Sequence, residues 1–142
     1  MLQQGDRGLI DTLAVHWMRN FYLASFYLEI HQEKVSIELN AALFKYFPES
    51  LYLKNQIAHA SYQSQEYLVA IDYFKQMLKT DPFRYENLDL YSNILYIKEN
   101  FCELANLAYN VFHNDKYRPE ACCTIGNYYS LRGDHHKAVI YF

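Results

Sequence analysis

Glycine, proline and cysteine are scarce in this chain of 142 residues, which holds 4 Gly, 3 Pro and 3 Cys. So few turn formers argue against a sandwich or barrel, where turn signals recur about every ten residues. The cysteines, Cys102, Cys122 and Cys123, are odd in number and two are adjacent. They make no disulfide framework and fit a reducing cytosolic or nuclear setting. No run of 18 apolar residues is present, which excludes a membrane-spanning helix, and the first residues lack the charged and apolar regions of a signal peptide. Charge of one sign is missing too: the formal net charge is −3 and the isoelectric point about 6.0, without the basic stripe of a nucleic-acid-binding module. What the chain has in quantity is apolar and aromatic. Hydrophobic residues make up 51% against 20% charged, the balance of a folded chain, and 15 Tyr with 9 Phe supply many large amphipathic rings for packed surfaces.

Laid against itself at an offset of 34, the chain aligns small residues at Ala24, Ala58, Ser92 and Gly126, each preceded by a larger one at Leu23, Ile57, Tyr91 and Ile125. Ala70 and Phe74 follow Ala58 at the spacing with which Ala138 and Phe142 follow Gly126, and Pro48 and Pro82 are also 34 apart. Small side chains let two helices cross closely, an aromatic one turn on reaches the next unit, and a proline stops the second helix. This is the pattern of tetratricopeptide repeats, each unit a pair of antiparallel helices. The register predicts an all-α, right-handed solenoid with units at 17–50, 51–84, 85–118 and 119–142. Helix pairs are expected at 17–30 with 33–46, 51–64 with 67–80, 85–98 with 101–114, and 119–132 with 135–142. Residues 1–16 read as a backward extension of the first helix or as linker. Pro119 at a first turn, Asn114-Asp115 and Gly133-Asp134 are the supporting start and stop signals. Unit three departs from the pattern: Leu104 and Ala108 give large then small, so either Ala105 takes the close contact or the two volumes are exchanged. Lys116 stands where a closing proline is expected, which predicts an irregular joint. The series reaches Phe142 within the second helix of unit four, an arrangement that predicts a longer array and apolar surface at that end.

No reactive constellation emerges. There is no Gly-rich phosphate loop, no Gly-x-Ser-x-Gly elbow and no Cys-x-x-Cys or His-x-x-x-His spacing. Adjacent residues such as Cys122-Cys123 and His135-His136 diverge by about 100° on a helix and do not share a metal. Neither enzyme, cofactor nor metal site is expected. The concave face carries more information. In these arrays the first helix of each unit lines a groove near its second, fifth, ninth and twelfth positions. That gives Met18, Phe21, Ser25 and Leu28, then Tyr52, Asn55, His59 and Tyr62, then Glu86, Asp89, Asn93 and Tyr96, and finally Glu120, Cys123, Asn127 and Ser130. Asn both donates and accepts and so suits the backbone of an extended peptide. Glu86, Asp89 and Glu120 make the later groove acidic, without the cations that would hold a partner's terminal carboxylate. Two readings stand: a groove for an Arg- or Lys-containing segment, or polar residues that merely solvate an open face. In unit one Trp17, Phe21, Tyr22, Phe26 and Tyr27 crowd one helix with more rings than a core needs. The surplus points to self-association or a neighbouring subunit over core packing alone.

Three strings go beyond the repeat: Trp17-Met-Arg-Asn-Phe-Tyr-Leu-Ala, Asp81-Pro-Phe-Arg-Tyr-Glu-Asn-Leu-Asp-Leu-Tyr-Ser-Asn and Asp115-Lys-Tyr-Arg-Pro-Glu-Ala-Cys-Cys-Thr-Ile-Gly-Asn-Tyr-Tyr-Ser-Leu-Arg. Over residues 17–142 the chain resembles the family of subunit eight of the anaphase-promoting complex, also called cell division cycle protein 23. The resemblance implies a non-catalytic scaffold in a ubiquitin ligase of the cell cycle, acting in nucleus and cytoplasm. It implies partnership with the other subunits, homodimers through N-terminal repeats, and reception of a short Arg-containing box of an activator protein, with no nucleic acid or membrane. The rival is a tetratricopeptide peptide-binding module of a trafficking or chaperone assembly.

Overall fold

The structure, a computed structural model, describes residues 16–142. Residues 1–15, and with them nearly all of the segment read as extension or linker, lie outside the described residues. Eight helices and no strand occur among the described residues: α1 (Trp17–Glu29), α2 (Glu33–Phe44), α3 (Leu51–Gln63), α4 (Tyr67–Thr80), α5 (Leu88–Ile97), α6 (Phe101–Asp115), α7 (Pro119–Leu131) and α8 (His135–Tyr141). They pack as consecutive pairs, α1 on α2, α3 on α4 and α7 on α8, with each pair leaning on the next. The fold is an all-α solenoid of the tetratricopeptide type.

The starts of these helices follow local chemistry. His16 is extended, and its Nδ1 accepts the Met18 N–H at 3.3 Å, so α1 begins at Trp17 and does not run back through residue 16. Ser50 Oγ accepts from Leu53 N at 3.4 Å, Asn100 Oδ1 from Glu103 N at 3.3 Å and Asp134 Oδ1 from Lys137 N at 3.4 Å, each answering an orphan donor of a first turn. Pro119 opens α7, where its missing N–H costs nothing.

The ends of the first helices repeat at the stride of the array. His31, Gln65, Glu99 and Gly133 all have positive φ, at 56°, 63°, 53° and 85°, and lie 34 residues apart. At each, the next residue's N–H donates five residues back around the turn: Gln32 to Tyr27 O, Glu66 to Ser61 O, Asn100 to Leu95 O and Asp134 to Tyr129 O, at 2.8–2.9 Å. These are four Schellman caps. They turn each first helix into its partner within three residues. Only the last uses glycine. The other three hold ordinary side chains in a backbone region that disfavours them by about 1–2 kcal/mol.

Where paired helices cross, the contact residues are small and sealed. Ala24 is 1% exposed, and Ala58, Ala70 and Ser92 are each fully buried. Their lack of bulk lets backbone meet side chain directly: Ser36 Oγ of α2 donates to the Ala24 carbonyl at 2.8 Å. Phe74, one turn beyond Ala70, stacks on Tyr91 of the next unit at 5.2 Å and 23°. Pro82 is exposed in the connection after α4, and Ala138 is buried against α7.

Unit three is irregular for two reasons. Leu104 and Ala108 are both buried while Ala105 is only half-buried, so the volumes are exchanged and no register shift occurs. The first helix also starts late, at Leu88 where the stride gives 85. Asn87 is left-handed (φ 58°) and cannot sit inside an α-helix, and Asp81 Oδ1 accepts the Phe83 N–H at 3.2 Å in a local turn. Tyr85 is thereby folded inward under the Arg118 guanidinium, 5.1 Å from its ring. The sequence pattern also places Phe142 in the packing set. Its ring does lie over Gly126, but the residue is 69% exposed.

Two expectations follow. Gln65→Gly relieves a strained cap and should raise unfolding stability by about 0.5–1 kcal/mol, while Gly133→Ala should lower it by a similar amount or more; urea titration measures both, and equal signs would refute the cap. A Cβ at Gly126 would stand 2.8 Å from the Phe142 ring. Gly126→Leu should therefore cost about 1–3 kcal/mol by overpacking, and most of that loss should vanish in a Phe142→Ala background.

Candidate peptide groove and contact surfaces

The structure brings three of the carboxylates assigned to the concave face together. Glu86, Asp89 and Glu120 share one open concavity of about 340 Å³ with Asn87, Pro119 and Cys123. Glu86 is exposed and pairs with Arg84, whereas Asp89 and Glu120 are half-buried. Burial first, then the nearby Asp89, Cys122 and Glu120, push the Cys123 thiol up, so its proton is held beside carboxylates.

The middle of the face is more engaged with itself than the register implied. Asn127 is buried, and its Nδ2 donates to Ser92 Oγ at 2.9 Å and to Asn93 Oδ1 at 2.7 Å. One turn on, Ser130 Oγ donates to Tyr96 Oη at 3.4 Å. Ser25 and Tyr52 hydroxyls meet at 3.1 Å at the first joint. Asn93 and Asn127, like Tyr96 and Ser130, are equivalent positions one repeat apart. Their side chains lace neighbouring units before any ligand arrives. The spacing that paired them was visible in the sequence, but a donor assigned to a peptide is spent on the next helix.

Asn55 is a correction. The register puts it in the groove, yet it is fully buried. His59 and Tyr62 are half-buried: the imidazole Nε2 lies 3.4 Å from Gln63 Nε2, and the Tyr62 ring tilts against Tyr67. Burial lowers the His59 pKa from 6.5, against the opposing pull of Glu29 and Asp89. Glu29 and Asp89 therefore bracket His59 electrostatically, and the acidic character reaches back to the end of α1.

The five aromatic residues of α1 separate into two groups. Trp17 and Phe21 interlock with Phe47 and Tyr52, with ring centroids 5.5–6.2 Å apart, Phe21 half-buried and Trp17 still 46% exposed. Tyr22 and Phe26 stand one turn apart on the other side, 81% and 57% exposed, with Ile30 continuing their line and Tyr27 half-buried beside Phe26. The large apolar side chains that α1 and the residue after it leave exposed are Trp17, Met18, Tyr22, Phe26 and Ile30.

Among the described residues no three His, Cys, Asp or Glu side chains converge to hold a metal, and no helix is long and apolar enough to cross a membrane. The arrangement offers recognition, with charge and hydrogen bonding on the concave side and apolar rings on α1. His59 tests the geometry. Because its folded pKa is depressed, stability should fall as pH drops through the unfolded value of 6.5, where the unfolded imidazole takes up a proton first. A proton NMR titration should give a His59 midpoint below 6.5, and Asp89→Asn should lower it further; an upward move would remove Asp89 from its surroundings.

No family model matches the chain. A protein of Arabidopsis thaliana named anaphase-promoting complex subunit 8 is 46% identical over 127 residues, covering 89% of this chain and 22% of that protein. A protein of the same name from Dictyostelium discoideum is 39% identical over 132 residues, covering 92% and 22%. The human cell division cycle protein 23 homolog is 42% identical over 109 residues, covering 75% and 18%. The chain spans about a fifth of the length of these relatives. Over the residues they share, it belongs to the family of anaphase-promoting complex subunit 8, the cell division cycle protein 23 family.

Proposed function

We propose that this chain is a non-catalytic scaffold segment of the anaphase-promoting complex, a ubiquitin ligase, acting in the nucleus and cytoplasm during cell division. The names of its relatives support the subunit role. The observation that carries the mechanism is the convergence of Glu86, Asp89 and Glu120 on one concavity. Carboxylates on a groove formed by two successive first helices form charge-assisted hydrogen bonds with a guanidinium, and they do so across a joint. An Arg-containing box of an activator protein is the ligand that this charge favours. Neighbouring subunits and a second copy meet the array elsewhere, with Tyr22, Phe26 and Ile30 as the apolar anchors of homodimerisation.

Two experiments bear on this. Affinity purification of the full-length protein should bring down the other subunits of the complex, whereas chaperones or coat proteins in their place would favour the rival assembly. Replacing Asp89 and Glu120 together by Lys should weaken an Arg-bearing activator peptide by tenfold or more, as expected when two charge-assisted contacts are each reversed. Unchanged affinity by calorimetry would detach the activator from this groove and leave the subunit role standing.

A further inference from the structure

The late start of α5 does more than interrupt the stride. Position 85 should open a first helix, as Leu51 and Pro119 do in units two and four. Residues 81–87 instead form a connection, shaped by the left-handed Asn87 and the turn at Asp81. Part of this connection walls a pocket of about 110 Å³ against α4 and α6. The residues around it are not those of the acidic groove. Leu78, Pro82, Leu107 and Val111 supply apolar surface, and Arg84, Tyr85, Asn110 and Asn114 supply polar groups. Among the described residues around it, Arg84 is the one that carries charge.

Two polar atoms on these walls are unanswered. The far end of the Arg84 guanidinium is engaged, since Nη2 pairs with Glu86, but its Nε is buried without a partner. The hydroxyl of Tyr85, a residue only 8% exposed, is buried without a partner as well. Burial first, then the Asp115 charge, push that hydroxyl's pKa up against the pull of Arg118, so it keeps its proton. Buried donors of this kind ordinarily have an acceptor. The next joint shows which acceptor this position takes. Arg118 stands 34 residues after Arg84, and its Nε bonds Asp115 Oδ2 at 3.3 Å. Asp81 is the counterpart of Asp115 and makes the same turn, its Oδ1 accepting from Phe83 N at 3.2 Å as Asp115 Oδ1 accepts from Tyr117 N at 3.3 Å. Yet Asp81 leaves Arg84 Nε unbonded. The joint before has no such site: Ser50 and Leu51 occupy the equivalent positions, and Ser50 Oγ caps a helix.

We propose that this pocket receives the carboxylate of an acidic side chain, Asp or Glu, from a partner protein. The carboxylate takes the place at Arg84 Nε that Asp115 fills at Arg118, and the Tyr85 hydroxyl donates to its second oxygen. Charge assistance from the guanidinium favours it over an uncharged amide. The methylene groups of the entering side chain rest on the apolar walls. Phe83, exposed between Pro82 and Arg84, adds an aromatic ring to the rim. A ring beside a desolvated charge pair is the composition of a protein interface, so the carboxylate comes on a protein and not as a free ion. The preference is the reverse of that of the acidic groove.

The probe is the peptide acetyl-Phe-Glu-Phe-amide, compared with its Gln counterpart, acetate and inorganic phosphate. Each is titrated into the 142-residue chain near neutral pH and followed by NMR at the Arg84 Nε–Hε and the Asn110 and Asn114 side-chain amides. The Glu peptide should shift these signals saturably, and the Gln peptide should bind about tenfold more weakly or worse. Arg84→Lys keeps the charge but removes Nε, and should weaken the Glu peptide by about tenfold or more. Tyr85→Phe keeps the ring and should weaken it several-fold. Lys98→Gln, which removes an exposed cation at the other end of α5, should leave it unchanged. No saturation, equal affinity for the Glu and Gln peptides, or acetate or phosphate binding as tightly as the Glu peptide (an adventitious ion only) would each overturn the proposal. So would unchanged affinity in a Tyr85→Phe chain of unaltered circular dichroism, or an equal loss from Lys98→Gln.

Discussion

The close approach of two helices at Ala24, Ala58, Ser92 and Gly126 is the constraint on which the rest depends. A larger residue at any of these places would push the pair apart, and every element beyond it would be displaced in turn, because each pair contacts only its neighbours. The chain meets the constraint in more than one way. In unit one a serine hydroxyl fills the crossing and bonds a backbone carbonyl, in unit two alanine faces alanine, and in unit three the bulk moves from one turn to the other as Leu104 and Ala108.

A solenoid also needs its helices to reverse at a constant angle. The left-handed caps at His31, Gln65, Glu99 and Gly133 supply that reversal, and three of them accept backbone strain to do so. The strain is offset by two backbone hydrogen bonds per cap and by the burial that follows from correct placement of the next helix. The irregularity of the array is likewise local: the left-handed Asn87 delays α5 by about one turn but leaves the later register intact, since α7 begins at Pro119 as the stride requires.

Much of this was legible in the residues. Small residues at one period fixed the helix pairs, and helix starts at Trp17, Leu51, Tyr67, Phe101, Pro119 and His135 follow from it. The recurring caps were not legible, because His, Gln and Glu carry no signature of positive φ, and only Gly133 did. The late start of α5 was hidden for the same reason. In the groove, charge survived the passage from sequence to structure while hydrogen bonding did not. Asp89 and Glu120 keep their carboxylates at a shared concavity even half-buried, but whether an amide faces solvent or the next helix depends on how the helices cross. Asn55 went inside and Asn127 turned to Ser92 and Asn93 for that reason.

The bonds from Asn127 and Ser130 to the preceding unit have a mechanical corollary. They stitch only the inner lip of the last joint, so a pull that straightens the curve there must break them, whereas tightening the curve loads none of them. At the neighbouring joint the link is instead the Lys75–Glu103 ion pair at 2.7 Å and the Phe74–Tyr91 stack, from second helix to next unit.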